Sequence, residues 1–321
     1  MKNTLLNVKN LKTYFPLRSN IFSQQKGFVY ALDDVSVSVN EGEILGLVGE
    51  SGCGKTTLGR TILKLIEPTG GEIYFRGENI TKLNSRQMKP LRQKMQMIFQ
   101  DPYSSLNPRM KIGKIIAEPF KIHNAAPKND IEGKTKTLLE TVGLSPEYAE
   151  RYPHEFSGGQ RQRIGIARAI ALKPDIIIAD EPVSALDVSI QAQIINLLLE
   201  LKGKLNLTYI FISHDLNLVR FISDRLAVMY LGKIVEYGKS ENIYDSPKHP
   251  YTKILLNSVP VADPKSKRKK IIISGDVPSP VDRPPGCHFH PRCPAKMPEC
   301  SGIAPKLNQS GDVLVSCLLY E

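Results

Sequence analysis

A glycine-rich segment, GESGCGKT at positions 49–56, carries the clearest chemical signal in this sequence. It fits the pattern G-x-x-x-x-G-K-[ST], in which backbone N–H groups and one lysine point at phosphate oxygens. The segment follows an apolar run, ILGLV, and opens a helical pattern whose N-terminus would face the same anion. We predict that Lys55 reaches the β- and γ-phosphates of a nucleotide and that Thr56 ligates Mg²⁺. The other predicted nucleotide contacts of this loop are Gly49, Ser51, Gly52, Gly54 and Thr57.

An acidic pair ends a second apolar run, IIIADE at 176–181. A buried strand would deliver Asp180 and Glu181 at its carboxyl end, where ligands bind in open α/β sheets. We expect Asp180 to hold Mg²⁺ and Glu181 to orient or deprotonate an attacking water. Two solvated acids at a strand end are the alternative. Pro182 and the SALD segment that follows it argue against that alternative.

Two further polar residues, Gln100 and His214, end the apolar segments MQMIFQ and TYIFISH. A parallel strand would bring His214 to the same sheet edge as Lys55 and Asp180. We predict that His214 contacts the γ-phosphate or the attacking water, although a lone histidine is usually structural. Gln100 is predicted to reach Mg²⁺ or that water.

Three apolar runs without alternation, at 44–48, 176–179 and 209–212, are typical of strands covered on both faces in a parallel sheet. Helical spacing follows the second run across 190–202. It also follows the first run, at Leu58, Ile62, Leu65 and Ile66. Strands that alternate with helices predict an α/β fold.

Composition is that of an ordinary globular protein, with 321 residues, 41% hydrophobic and 23% charged. The sequence has no apolar run of about 18 residues and no signal-peptide pattern, so we expect a cytoplasmic protein. The formal net charge of +11 serves solubility, or marks a nucleic-acid or anionic lipid surface. We interpret the basic run KSKRKK at 265–270 as a solvated linker.

The segment YPHEFSGGQRQRIGIARAIAL, with SGGQ at 157–160, resembles the signature of ABC ATPases. Phe156 stands where leucine is commoner in that family. The resemblance covers nearly the whole chain, because further family motifs occur in the family's order. These motifs are 49–56, Gln100, 157–160, the acidic strand to Glu181, the SALD loop ending at Asp187, and His214.

The resemblance implies that two cassettes close head to tail. Each ATP would then lie between one subunit's residues 49–56 and the partner's Ser157, Gly158, Gly159 and Gln160. Asp187 belongs to the same set of nucleotide-site residues. The family also stacks an aromatic residue on adenine. We predict Tyr14 for this role, with Phe15 and Tyr30 as alternatives.

The resemblance also implies a domain organisation. A RecA-like P-loop NTPase core with a parallel sheet would comprise residues 1–100 and 171–238. Prolines break residues 101–170 into short helical pieces, which we interpret as the helical subdomain inserted into that core. Residues 239–321, rich in proline and lysine, would form a small C-terminal extension with four cysteines.

Within the family, SPKHPYTKILLNSVP at 246–260 is similar to the segment that follows the cassette in dipeptide and oligopeptide importer ATPases. The segment GESGCGKTTLGR, which starts at Gly49, is similar to the corresponding segment of the F-type ATPase subunit of that group. This resemblance implies a second ATPase subunit, two membrane permeases and an external substrate-binding protein. The chain would bind peripherally to the inner face of the membrane without touching the cargo. Relatives that carry nickel, glutathione or sugars keep the cargo open.

Four late cysteines, Cys287, Cys293, Cys300 and Cys317, have the spacing C-x5-C-x6-C-x16-C. This spacing lacks the short C-x2-4-C pair typical of zinc sites. Cysteines at this place in peptide-importer ATPases imply a [4Fe–4S] cluster. Zinc, with His288 or His290 as additional ligands, and free thiols are the alternatives.

Two other functions were weighed against transport. A soluble ABC protein acting on nucleic acid or ribosomes would suit the net charge. The single cassette and the absence of long heptad repeats disfavour it. A small-molecule kinase would use residues 49–56 but would leave SGGQ and the SALD loop unexplained.

Overall fold

The computed structural model describes residues 3–17, 27–258 and 275–321, and the basic run at 265–270 lies outside them. The strands are β1 Thr4–Leu17, β2 Gly27–Asn40, β3 Ile44–Val48, β4 Gly70–Phe75, β5 Glu78–Asn79, β6 Met95–Ile98, β7 Ile176–Asp180, β8 Thr208–Ile212, β9 Arg225–Tyr230, β10 Lys233–Lys239, β11 Asn308–Ser310 and β12 Val313–Val315. The helices are α1 Lys55–Ile62, α2 Ser85–Lys94, α3 Ile112–His123, α4 Ile131–Thr141, α5 Gly158–Ile170, α6 Val188–Leu205, α7 Leu216–Ile222, α8 Ser240–Asp245 and α9 Pro250–Asn257. Short 3₁₀ turns occur at Pro146–Glu150, Pro153–Glu155, His290–Arg292, Pro298–Ser301 and Leu318–Tyr320.

Contacts divide the chain into two compact units. The first unit contains Asn3, Asn40–Gly42 and Lys82–Ile212. The second contains Thr4–Val39, Glu43–Thr81 and Ser213–Glu321, as far as these residues are described. Each unit therefore gathers segments that are far apart in the sequence.

The first unit is built on three parallel strands in the order β6-β7-β8. Met95 pairs with Ile176, and Ile176 pairs with Thr208. All five residues of β7 and of β8 are buried, as expected for strands covered on both faces. The predicted strands at 176–179 and 209–212 are confirmed.

Short helices occupy the proline-rich stretch between 101 and 170, as predicted. Buried Ala117 and Phe120 of α3 pack with Ile131 of α4 and with Ala171 in one apolar cluster. The helix α6 includes the predicted helical stretch 190–202. The predicted α/β class is therefore confirmed for this unit.

The second unit contains an antiparallel sheet in the order β2-β1-β4-β5. A further set of strands runs in the order β11-β12-β10-β9-β3, in which β3 and β9 are parallel. The predicted strand at 44–48 is confirmed as β3. The helix after it is shorter than its spacing predicted, because α1 ends at Ile62 and Leu65 is 52% exposed.

The end of the chain contributes two strands that the sequence did not predict. Strand β12 pairs antiparallel with β10, and Val315 faces Glu236 in this ladder. Strand β11 extends the set by pairing with β12. Among the described residues, no helix is both long and apolar enough to cross a bilayer.

Candidate nucleotide site

The P-loop (residues 49–56) follows the fully buried strand β3, so its first residue leaves a rigid element. Gly49 has φ 151° and Gly54 has φ 105°, conformations that favour glycine. A Cβ at Gly49 would collide with the carbonyl oxygen of Met229, and one at Gly54 with that of Ala31. The glycines therefore let the loop wrap closely against neighbouring backbone and open helix α1.

Lys55 is the first residue of α1 and is only 6% exposed. Its Nζ donates to the carbonyl oxygens of Gly49 at 2.8 Å and Glu50 at 3.0 Å. The ammonium group therefore lies inside the turn of the loop. Thr56 and Thr57 follow in the first turn of the same helix, as the motif requires.

Asp180, at the carboxyl end of β7, is 1% exposed, and Glu181 follows it in a turn. Gln100 lies two residues beyond β6, whose Ile98 pairs with Ala179 of β7. This register brings the two loop residues together: Gln100 Nε2 donates to Glu181 Oε2 at 2.9 Å. The amide oxygen of Gln100 stays available as a hard ligand of the kind that Mg²⁺ prefers.

Glu181 has φ 45°, in the left-handed region that costs a residue with a Cβ about 1 kcal/mol or more. Backbone hydrogen bonds help to hold this conformation. The Glu181 N–H donates to the Ile212 carbonyl at 3.0 Å, and the Glu181 carbonyl accepts from the Ser184 hydroxyl at 3.1 Å and from the Ser184 N–H at 3.3 Å. Backbone strain of this kind is common where a side chain must be aimed at a reaction centre.

His214 lies directly after Ser213, whose N–H donates to the Leu47 carbonyl of β3 at 3.3 Å. The next residue, Asp215, accepts from the N–H groups of Asn217 at 2.9 Å and Leu218 at 3.2 Å and so caps α7. These bonds fix the turn that carries the exposed His214. Within the second unit, the structure therefore places His214 beside the strand that leads into the P-loop.

Tyr14, the predicted adenine partner, packs edge-on against Tyr30 with 4.8 Å between ring centroids. Its hydroxyl donates to Asp33 Oδ1 at 2.7 Å, and Arg283 donates to Asp33 Oδ2 at 2.8 Å. Burial alone would raise the pKa of Asp33, but these hydrogen bonds outweigh it and lower the pKa to about 2. Phe15, one alternative, is largely exposed.

The signature segment (residues 157–160) starts helix α5 with a capping box. Ser157 Oγ accepts from the Gln160 N–H at 3.3 Å, and Gln160 Oε1 accepts from the Ser157 N–H at 3.0 Å. Ser157 and Gly158 are exposed. The Ser157 hydroxyl keeps its proton for an outside acceptor, so this helix end can bind an anion.

The two signature glycines lie against the segment that contains Asp187. A Cβ at Gly158 would lie 3.2 Å from Leu186 Cδ2, and one at Gly159 would lie 2.5 Å from Ile190 Cγ2. Asp187 itself is the exposed N-cap of α6. Glycine is therefore needed here for close packing, which the anion-binding argument from sequence did not include.

The four late cysteines and Cys53 are free thiols. Burial, together with smaller contributions from the neighbouring Cys300, Cys317 and Cys293, raises the pKa of Cys287 to about 11. The four thiols are thus within electrostatic reach of one another. Within 3–17, 27–258 and 275–321, however, no group of three or more His, Cys, Asp or Glu side chains is arranged to hold a metal ion. Neither the [4Fe–4S] prediction nor the zinc alternative gains support from this arrangement.

Sequence reasoning missed several residues that contact the site. Asp33 and Arg283 bind around Tyr14, and Arg292 and Tyr251 bind Glu50 in the P-loop. Only Tyr251 carried a signal, because it belongs to the His-Pro-Tyr motif. Nothing in the sequence around the others pointed to the nucleotide site.

Several solved structures have a similar fold. One is the dimeric post-hydrolysis state of the ATP-binding cassette MJ0796 bound to ADP and Pi. It aligns with a TM-score of 0.65 and 28% identity over 74% of this chain and 99% of that chain. The structure of cbiO1 from Clostridium perfringens, part of the ABC transporter complex cbiONQ, aligns with a TM-score of 0.65 and 24% identity, over 76% of this chain and 92% of that one. Fold and loop together define a P-loop ATPase of the ABC class.

Two family models match the sequence: ABC transporter over residues 32–184, and oligopeptide/dipeptide transporter, C-terminal region, over residues 235–300. The oligopeptide transport ATP-binding protein AppF of Bacillus subtilis (strain 168) is 53% identical over 99% of this chain and 98% of its own. The dipeptide transport ATP-binding protein DppF of Escherichia coli (strain K12) is 46% identical over 100% of this chain and 96% of its own. The chain therefore belongs to the ABC transporter ATP-binding proteins that carry this C-terminal region. The family resemblance inferred from SGGQ and His-Pro-Tyr is confirmed.

Proposed function

We propose that this chain is an ATP-hydrolysing subunit, of the F type, that powers import of dipeptides or oligopeptides. The observation that carries the proposal is the match of residues 235–300 to the peptide-transporter C-terminal region, on the same chain as an intact P-loop. The names of AppF and DppF support peptide as the cargo. Nickel, glutathione and sugars are the competing cargoes.

In this function the P-loop binds the triphosphate of ATP. Lys55 supplies positive charge to the β- and γ-phosphates, and the loop N–H groups bind their oxygens. Tyr14 stacks on the adenine ring. His214 contacts the γ-phosphate, which its position after Ser213 next to β3 supports.

Hydrolysis uses the acidic pair and Gln100. Asp180, Thr56 and Gln100 would each offer an oxygen ligand of the kind that suits Mg²⁺, which would neutralise developing phosphate charge. Glu181 orients and deprotonates the attacking water. The bond from Gln100 Nε2 supports this role because it fixes the direction of the carboxylate.

Two cassettes form the working unit in this proposal. The signature segment of each would bind the γ-phosphate held by the other, together with Asp187. The second cassette is a related ATPase or another copy of this chain. Two permeases would hold the pair at the inner face of the membrane, in contact with the helical subdomain at 101–170. An external binding protein would deliver the cargo, which this subunit does not touch.

The decisive variant is Glu181→Gln, which keeps the shape of the side chain but removes its basicity. We expect retained ATP binding, a closed dimer that persists in ATP, and loss of steady hydrolysis. Glu200→Gln, on an exposed part of α6, is the matched control. Steady hydrolysis by the Glu181→Gln protein at the wild-type rate would refute the assignment.

Cargo is tested by uptake. Vesicles containing this chain, its partner ATPase and the two permeases should accumulate a labelled dipeptide or oligopeptide in the presence of ATP and binding protein. Accumulation of nickel or glutathione instead would move the proposal to another cargo. Salt-sensitive binding of nucleic acid at physiological ionic strength would support the soluble alternative.

We also propose the [4Fe–4S] cluster as ligated by Cys287, Cys293, Cys300 and Cys317. The mutual proximity of their thiols supports a shared group, although no single-ion site is present among the described residues. Iron and sulfide analysis of anaerobically purified protein tests it. Cys300→Ser should remove both elements, whereas Cys53→Ser should leave them. Iron-free wild-type protein would rule the cluster out.

A further inference from the structure

Arg292 binds the P-loop through Glu50. Its two terminal nitrogens donate to both carboxylate oxygens of Glu50, at 2.8 Å and 3.0 Å. Arg292 is 8% exposed, and one of its nitrogens also reaches the hydroxyl of Tyr230 at 3.4 Å. A bidentate guanidinium–carboxylate pair fixes the orientation of the carboxylate as well as its distance, which a single-contact surface ion pair does not.

Tyr251 holds the backbone of the same residue. Its hydroxyl accepts the Glu50 N–H at 2.9 Å, and its side chain is completely buried in α9. The ring packs against Tyr230 and Phe289, with centroids 4.8 Å and 5.3 Å away. Glu50 is therefore fixed at its side chain and at its N–H by residues more than 200 positions later in the chain.

The fixed residue is also a partner of Lys55. The carbonyl oxygens of Glu50 and of the preceding Gly49 accept from Lys55 Nζ. The orientation of the 49–50 peptide thus determines where the ammonium group lies. It also determines how the rest of the loop leaves β3.

Arg292 is itself held within the four-cysteine segment (residues 287–317). Its N–H donates to the Phe289 carbonyl at 3.0 Å, and Cys293 is the next residue. The Cys287 N–H donates to the Cys300 carbonyl at 2.9 Å, which closes the backbone around this turn. Any change that loosens the segment would therefore move the guanidinium away from Glu50.

We propose that Arg292 is a positioning residue for ATP binding: acting through Glu50, it holds the P-loop in its phosphate-binding conformation. ATP binding and the order of the four-cysteine segment are then linked, and by reciprocity ATP stabilises that segment. This inference rests on the proposed role of residues 49–56 in binding ATP.

The test compares full-length Arg292→Gln, Arg292→Lys and Glu50→Gln with wild type. The first readout is the Kd for ATP, with kcat and KM determined separately. Arg292→Gln should weaken ATP binding by at least about tenfold, because hydrogen bonds between charged groups are of that strength. Glu50→Gln should weaken ATP binding by a similar factor, and the double variant Arg292→Gln/Glu50→Gln should bind ATP no more weakly than either single variant. Arg292→Lys should weaken ATP binding less.

The second readout is amide hydrogen exchange across residues 287–301 with and without ATP. Wild type should show slower exchange with ATP, and Arg292→Gln should lose this response. A residue that only stabilises the fold would lower the melting temperature without removing the response. Arg220→Gln is the matched control, since its ion pair with Asp245 is exposed and in the same unit.

Unchanged ATP affinity and unchanged exchange in Arg292→Gln would overturn the proposal. If Arg292→Gln fails to fold, Arg292→Lys and Glu50→Gln decide in the same way. Lys55→Ala separates the two levels of inference. Wild type that binds no ATP, or Lys55→Ala that binds it normally, would reject the proposed function. If Lys55→Ala loses ATP binding while the Arg292 and Glu50 variants bind ATP like wild type, only the role of Arg292 is rejected.

Discussion

Gln100 Nε2 lies 2.9 Å from Glu181 Oε2, so an amide just beyond β6 holds the carboxylate that follows the parallel strand β7. Glu181 has an unfavourable positive φ, and this bond adds a side-chain constraint to a backbone that is already fixed. In the proposed mechanism, this hydrogen bond would couple the Mg²⁺ ligand Gln100 to the carboxylate that activates water. Its consequences can be separated by changing one side of the pair at a time.

Gln100→Glu should shift the acid limb of the ATPase pH profile to higher pH. Two carboxylates at this distance repel, so the pair of carboxylates binds one proton more readily than a single carboxylate does. We expect kcat at pH 7 to fall by about tenfold or more, since a general base contributes at least that much. Gln100→Ala is the control, because it removes the hydrogen bond without adding a carboxylate. It should lower kcat without shifting the acid limb of the pH profile. Superimposable profiles for the two variants would contradict the predicted coupling.

Gly159→Ala should destabilise the protein by about 1–3 kcal/mol and lower ATPase activity, because its Cβ would overlap with Ile190 Cγ2. The double variant with Ile190→Ala should recover part of both losses by making room. Gly165→Ala, in the same helix with no atom within 4 Å of its Cβ, is the control and should be neutral or stabilising. Urea unfolding and steady-state hydrolysis measure these effects. If Gly159→Ala lowers the free energy of unfolding equally in the wild-type and Ile190→Ala backgrounds, overlap with Ile190 is not the cause.

Tyr14→Leu should weaken ATP binding by about tenfold, the loss expected for one stacked base. Tyr14→Phe should bind nearly normally, because it loses only the hydroxyl that donates to Asp33. Inorganic tripolyphosphate is the control ligand: without a base, it should bind both variants like wild type. If Tyr30→Leu alone loses affinity for ATP, Tyr30 is the stacking residue.

His249 should make the protein less stable in mild acid. Burial lowers its pKa to about 3, with help from nearby Lys253, so the folded protein keeps it neutral. Neutral His249 contributes fully to the free energy of unfolding above its unfolded pKa of about 6.5. This contribution is lost progressively as the pH falls toward 3, because only the unfolded chain takes up the proton there. Between pH 6.5 and 4.5 the loss should be about 2–3 kcal/mol.

The variant that isolates this effect is His249→Asn. Asparagine can still accept the Tyr251 N–H that His249 Nδ1 accepts at 3.0 Å, but it does not titrate. Free energies of unfolding at pH 6.5, 5.5 and 4.5 should converge between wild type and variant as pH falls. Parallel lines would show that protonation of this side chain does not affect stability.

The sequence was informative wherever a local pattern determined a structure. Apolar runs predicted β3, β7 and β8. Roles near the attacking water were predicted for Gln100 and Glu181, but the hydrogen bond between them was not. The apolar spacing after β3 predicted a longer helix α1 than the structure has. Leu65 continues the apolar spacing, but it is exposed after the helix has ended, and spacing alone does not specify an end.

Contacts between distant segments had no such signal. Arg292 and Glu50 are 242 positions apart, and nothing near Arg292 marks it as a partner of the P-loop. Strand β11 is a polar tripeptide, Asn308–Ser310, whose pairing depends on β12 rather than on its own composition. Such features arise from tertiary contacts, which a reading of local patterns does not contain.

The final strand, β12, completes a ladder with β10 in the unit that also holds the P-loop. A ribosome makes β3 long before β12, so the second unit can close this ladder only after the P-loop has been made. The first unit, a nearly continuous stretch from Lys82 to Ile212, can fold once those residues have emerged. The unit that holds the P-loop is therefore expected to complete its fold later than the unit that holds Glu181.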